Sequence, residues 1–247
     1  MNAVRLVVSW LTVVPVRGPE TVDRVGAGRA IGLAPVVGVL LGLGAAGLLW
    51  GFDVVGGVAL LGGFLAVAGL GLITRGMHLD GLADTMDGLG SYGSPERARE
   101  IMKSGGAGPF GVAALVFVVA MQAVSFGALA DAGRWAGVVL AVAVGRVAVV
   151  VACRRGIEAA PGAGFGALVA GTQGPVIALG WAGIALVAGA FVTDRWWVGP
   201  AGVALALGLA WVLVRHCVRR FGGLNGDVLG AALELAVTVS AVAFTLG

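Results

Sequence analysis

The sequence predicts an all-α fold, a polytopic membrane bundle of about seven transmembrane helices forming one domain over residues 1–247, with a cytoplasmic N-terminus. Three observations predict it. Hydrophobic residues make up 59% of the 247 positions and charged residues 12%, with a mean hydropathy of +1.00, whereas a water-facing surface carries about twice that charge. The 45 glycines follow no three-residue period, which excludes collagen, and they suit helices that approach closely in lipid. The basic residues gather on one side of a regular alternation of apolar runs.

A bilayer is crossed by roughly 17–25 apolar residues, and candidates lie at 31–52, 54–74, 111–131, 134–153, 176–193, 196–214 and 227–246. The N-terminal segment and the polar breaks at 75–110, 154–175 and 215–226 together hold Arg5, Arg17, Arg24, Arg29, Arg75, Arg97, Arg99, Lys103, Arg154, Arg155, Arg215, Arg219 and Arg220. The opposite side holds Arg134 and Arg195, and Arg146 lies inside a span. Excess Arg and Lys marks the cytoplasmic side, so those segments are expected there and the C-terminus outside.

Ahead of the first span, Arg5 and the apolar run 6–16 loosely resemble a signal peptide. The stretch Pro15-Val16-Arg17-Gly18 is a poor cleavage site, so an interfacial helix is expected instead. The formal charge of +3 is too small to argue for nucleic acid. Cys153 and Cys217 lack metal-ligand spacing and are expected as reduced structural thiols. The apolar surface exceeds the need of a lone bundle and leaves room for a homodimer beside membrane lipid.

The chemistry concentrates in His78-Leu79-Asp80-Gly81-Leu82-Ala83-Asp84-Thr85-Met86-Asp87-Gly88. Asp80, Asp84 and Asp87 stand at i, i+4 and i+7, on one helical face, where like charges repel. No basic residue lies between Arg75 and Arg97, so a neutraliser must come from elsewhere, and all-oxygen ligands favour Mg²⁺ or Mn²⁺. A solvated acidic helix end is the plainer alternative. A second acidic element follows Gly222-Gly223-Leu224-Asn225-Gly226, with Asp227 at the start of the last span and Glu234 two turns deeper. An ionisable group at that depth suggests function, although Asp227 could simply cap the helix. Between these elements, Lys103 and the glycines around Gly108 could approach a phosphate. Carboxylates beside basic groups at a membrane face suggest metal-assisted phosphoryl transfer, with one carboxylate accepting a proton from an attacking hydroxyl. Walker, HExxH and CxxC patterns do not occur.

The run HLDGLADTMDG, the following Glu100-Ile101-Met102-Lys103 with Gly108 and Gly111, and GGLNGDVLGAALEL over 222–235 occur in the order seen in the cobalamin synthase family, which the whole chain resembles. That family comprises the adenosylcobinamide-GDP ribazoletransferases, which close the B12 nucleotide loop. The resemblance implies Mg²⁺-dependent transfer of the adenosylcobinamide-phosphate moiety to the 5′-oxygen of α-ribazole, or to α-ribazole 5′-phosphate, with release of GMP. It implies metal binding by Asp80, Asp84, Asp87 and Asp227, catalytic roles for Asp84, Asp87, Asp227 and His78, and substrate contacts from Lys103, Gly108, Glu234 and Arg146. An active site facing the cytoplasm from the cell (inner) membrane follows. Two departures from the family pattern occur, at Ser104-Gly105-Gly106 and at Thr12-Val13-Val14-Pro15. A CDP-alcohol phosphotransferase is a rival reading, but Asp84 stands where its pattern needs Arg. An ion-coupled transporter is another, yet the acidic element has no internal repeat.

Overall fold

The computed structural model describes residues 2–18 and 21–247. The N-terminal segment forms two short helices, α1 (Asn2–Leu11) and α2 (Arg24–Gly32). With 10 residues α1 reaches about 15 Å, half of a bilayer core, and it buries Leu6, Val7 and Leu11 while exposing Val4. This is the interfacial helix that the sequence predicts. The chain continues through α3 (Ala34–Val54) and α4 (Ala59–Ile73), and the 75–110 break contains α5 (Met77–Gly90) and α6 (Pro95–Met102). Next come α7 (Pro109–Asp131), α8 (Trp135–Ala152), the one-turn α9 (Phe165–Val169), α10 (Pro175–Gly189), α11 (Val198–Phe221) and α12 (Gly226–Thr245).

All seven expected spans therefore contain an apolar helix. Five of them, α3, α7, α8, α11 and α12, are long and apolar enough to cross a membrane. The other two, α4 and α10, have 15 residues each, about 22 Å, and α4 passes only when joined to α5, from which it bends by 92°. We read α4 as the spanning limb and α5 as a helix turned across the end of the bundle.

Burial ranks the helices. In α8 and α12, 78% and 72% of the spanning window is buried, against 33% in α7 and α11, so α8 and α12 form the centre and the others surround them. Close approach to α8 depends on missing side chains: a Cβ on Gly42 of α3 would lie 2.7 Å from the Cα of Val139. The outward faces carry Leu40, Trp50, Phe117, Leu179 and Val212, all exposed, which is the surface that lipid covers. Cys153 and Cys217 are buried and unpaired.

The bend between α4 and α5 has a local cause. Arg75 and Gly76 adopt successive left-handed conformations, with φ 59° and 66°. Arg75 has a Cβ and so pays a conformational cost there, of about 1–2 kcal/mol. Its guanidinium Nη2 donates to the carbonyls of Ser9 and Trp10, both at 3.2 Å, tying the bend to the end of α1.

A Cβ at Gly76 would meet nothing within 4 Å. Gly76→Ala should therefore act through φ alone, destabilising the protein by about 1–2 kcal/mol. Thermal unfolding in detergent checks this, and an unchanged midpoint would refute the account of the bend.

Candidate active site

The acidic helix α5 lies against the first turns of α12, and two glycines set how near. A Cβ on Gly81 would come within 2.9 Å of the Cα and carbonyl oxygen of Asp227. One on Gly230 would come within 3.0 Å of the His78 carbonyl oxygen. The backbones touch here, and residues far apart in sequence, Asp80 and Asp84 on one helix and Asp227 on the other, converge at one end of the bundle.

The start of α12 is built for this contact. Gly222 ends α11 in the left-handed region at φ 75°. Gly223 passes so close to the Ala159–Ala160 backbone that no side chain fits. Leu224 is pinned to the same loop, donating its N–H to the Glu158 carbonyl at 2.8 Å and accepting from Ala160 N–H at 2.9 Å. Asn225 caps α12 by accepting from Val228 N–H at 2.9 Å, and its Nδ2 donates to Asp227 Oδ2 at 3.2 Å. Asn225 thus orients the Asp227 carboxylate, a role that the sequence reading left unassigned.

The expected acidic face divides. Asp80 is exposed and Asp84 half-buried, while Asp87 is buried. Both Asp87 oxygens serve the backbone at the start of α7: Oδ2 accepts from Gly108 N–H at 2.6 Å and Oδ1 from Gly111 N–H at 2.9 Å. Gly108 is thereby engaged by protein, and a Cβ at either glycine would collide with the carboxylate. Asp84 has no such partner. Burial, then the charges of Asp80, Asp227 and Asp87, push its carboxyl up to about 6. The ion pairs among the described residues, Arg97–Glu100, Arg99–Glu96 and Arg134–Asp194, leave these aspartates out. No group of three or more His, Cys, Asp or Glu among the described residues is drawn close enough to hold a metal ion by itself. Asp80, Asp84 and Asp227 still supply hard oxygen donors with unbalanced charge, which fits a divalent cation whose remaining ligands come from substrate or water.

Two chambers open beside these carboxylates. The larger, about 400 Å³, runs between Trp10, Ile31, Phe165 and Leu233, with His78, Asp80, Asp227, Arg75 and Arg146 on its walls. The smaller, about 170 Å³, is lined by Arg99, Lys103, Gly162 and Asn225. Phe165, Gly226 and Asp227 belong to both. Lys103 reaches over the smaller one, its Nζ 3.7 Å from a Cβ position on Gly162. The Phe165 ring meets Trp10 edge-on, with centroids 4.9 Å apart.

Beneath the larger chamber is a polar layer with only about 20 Å³ of free space, lined by His78, Gln122, Arg146 and Glu234. Gln122 Nε2 donates to Glu234 Oε2 at 2.7 Å and to Thr238 Oγ1 at 3.0 Å. Glu234 therefore sits under the site, apart from the walls of either chamber. Arg146 reaches both levels: its Nη1 donates to the Val142 carbonyl at 3.2 Å and its buried Nε has no partner. Burial and the Arg146 charge hold the His78 imidazole down at about 3, so it is a neutral hydrogen-bonding group.

Two aspartates three residues apart should thus respond oppositely. Asp87→Asn strands backbone donors and should destabilise the fold by about 2 kcal/mol. Asp84→Asn removes a carboxylate whose charge the fold disfavours, and should leave the melting temperature unchanged or raised. Paired melting curves at neutral pH decide this; a destabilised Asp84→Asn beside a neutral Asp87→Asn would reverse the assignments.

Comparison with known proteins gives one direction. The cobalamin-5-phosphate synthase family model matches residues 3–245. A Corynebacterium efficiens protein named adenosylcobinamide-GDP ribazoletransferase is 39% identical over 251 residues, covering 98% of this chain and 90% of its own. Proteins of the same name from a Nocardioides species and from Frankia casuarinae are 40% and 37% identical, covering 98% and 100% of this chain and 98% and 96% of their own lengths. No solved structure matches. With acids from α5 and α12 meeting where the family's two motifs cross, and a match over nearly its whole length, the chain belongs to the cobalamin-5-phosphate synthase family.

Proposed function

We propose that this protein is an adenosylcobinamide-GDP ribazoletransferase, transferring the adenosylcobinamide-phosphate moiety from adenosylcobinamide-GDP to α-ribazole or its 5′-phosphate with release of GMP. The observation that carries the reading is the junction at Asp227, where unneutralised carboxylates on one side meet the Arg99–Lys103 chamber on the other. Phosphoryl transfer needs both: an acceptor for the hydroxyl proton, and cationic groups for the charge on the departing phosphate.

The family description refines the attacking atom. A product that keeps a 5-phosphate has its 5′-oxygen occupied. The nucleophile is then a secondary ribose hydroxyl, in place of the 5′-oxygen that the sequence reading expected.

Mg²⁺ would be held by Asp80, Asp84 and Asp227, where it would polarise phosphoryl oxygens and offset their charge. Asp87 would contribute by fixing the start of α7. Lys103 and Arg99 would compensate the phosphates of the nucleotide, and neutral His78 would donate or accept a hydrogen bond at the edge of the acceptor. The distribution of Arg and Lys supports a cell-membrane protein whose site faces the cytoplasm. That placement suits nucleotide substrates.

Detergent-purified protein given adenosylcobinamide-GDP, α-ribazole and Mg²⁺ should release GMP and form the corrinoid product. EDTA should stop turnover and added Mg²⁺ or Mn²⁺ restore it, and Asp84→Asn should lower the rate on the order of a hundredfold or more. A folded protein that releases no GMP under these conditions would sink the reading. Transport of corrinoid into liposomes without GMP release would favour the transporter instead.

A further inference from the structure

Building on that reading, we propose that the two substrates occupy separate chambers: the aromatic nucleoside acceptor the larger one, the diphosphate of the donor the smaller one, with transfer taking place across Asp227. The chambers meet only along Phe165, Gly226 and Asp227, so a group passing from one substrate to the other must cross that edge.

Chemistry assigns the occupants. The acceptor is a flat, neutral aromatic base on a ribose. The larger chamber offers about 400 Å³, within the range of small-molecule sites, and its walls include Trp10, Ile31, Phe165 and Leu233. The edge-on Trp10–Phe165 pair presents aromatic surface for a ring to pack against. Asp80 and Asp227 can accept hydrogen bonds from ribose hydroxyls, and Arg75 on the same wall supplies a cation for a 5′-phosphate. Arg146, with an unpartnered Nε, brings surplus donor capacity toward the apolar end, where the unprotonated ring nitrogen of the base is an acceptor. The smaller chamber, about 170 Å³, is too small for a nucleoside but adequate for phosphate groups, and Arg99 and Lys103 line it. The nucleoside and the corrin of the donor then remain outside it.

In this arrangement a ribose hydroxyl oxygen bonds to the phosphorus bearing the cobinamide. The bond from that phosphorus to the bridging oxygen breaks, and its electron pair leaves with GMP. The hydroxyl proton passes to Asp227, the carboxylate common to both chambers, and from there to water.

Steady-state kinetics with each substrate varied in turn tests the partition. Trp10→Ala should raise KM for the acceptor about tenfold and leave the donor's KM within about twofold, and Trp10→Phe should restore most of the loss. Ala34→Phe, which fills the larger chamber from a different helix, should produce the same split while keeping Trp10. Lys103→Gln should do the reverse, raising KM for adenosylcobinamide-GDP about tenfold with the acceptor's KM preserved. Donor KM rising in Trp10→Ala or Ala34→Phe, or both constants moving together in all variants of an active enzyme, would overturn the partition. Absence of GMP release by wild-type protein would instead overturn the transferase reading itself, and the partition with it.

Discussion

The contact between α5 and α12 sets the geometry on which everything else at the site depends. Two helices normally keep their axes 8–10 Å apart because side chains stand between them. Here Gly81 and Gly230 remove those side chains, and the backbones of residues 78–81 and 227–230 meet directly. In a lipid environment such contact is a source of cohesion, because burial from water contributes little between helices already surrounded by hydrocarbon. The same contact forces acidic residues from both helices into one small region. Cohesion of the bundle and electrostatic repulsion at the site are thus two results of one approach, and the repulsion is what a cationic ligand or a phosphate-bound metal can relieve.

The aspartates of α5 show how partners, rather than residue type, decide a role. Asp87 meets the start of α7, where the first N–H groups of a helix lack intrahelical acceptors, and it takes two of them. Charge there is balanced by backbone dipoles, so the group can be buried. Asp84, one turn earlier, faces carboxylates and no donor, and its proton affinity rises accordingly. One works as a fastening and the other remains available for chemistry, although the sequence presents them as equivalent members of a face.

Much of this was legible in the sequence because hydropathy and charge act over whole segments. The seven apolar runs, the interfacial α1 and the acidic identity of α5 follow from patterns a dozen or more residues long. Features that depend on a single meeting of distant backbones were not legible. Nothing near Asp87 reveals that residues 108–111 return to it, and nothing near Glu234 reveals Gln122 on another helix. The last turns of α11 were assigned to a polar break because Arg215, Arg219 and Arg220 are charged. Arginine is nonetheless a good helix former, and the helix continues until Gly222 takes a left-handed conformation. The turn after α4 was hidden for a related reason: Arg75 does not advertise a positive φ, and only its bonds to Ser9 and Trp10 account for it.

The wall opposite the carboxylates is irregular backbone, which a membrane protein tolerates only where its polar groups are satisfied or face water. Residues 154–174 meet the first condition by borrowing partners from segments already fixed. Arg155 N–H donates to the Gln173 carbonyl and Gln173 N–H to the Cys153 carbonyl, while Ala160 and Leu224 exchange with the loop's other arm. Arg24 adds donors to the carbonyls of Ala167 and Ala170 from α2. A loop bound this way can hold Phe165 against Gly226 as firmly as a helix would, yet it leaves a shape that no packed helix could leave. The site therefore combines a helical floor that fixes the acids with a non-helical wall that makes room for two substrates, and the single residue touching both halves of that room is the acid most constrained by its neighbours, Asp227, held by the Asn225 cap and by the close crossing at Gly81.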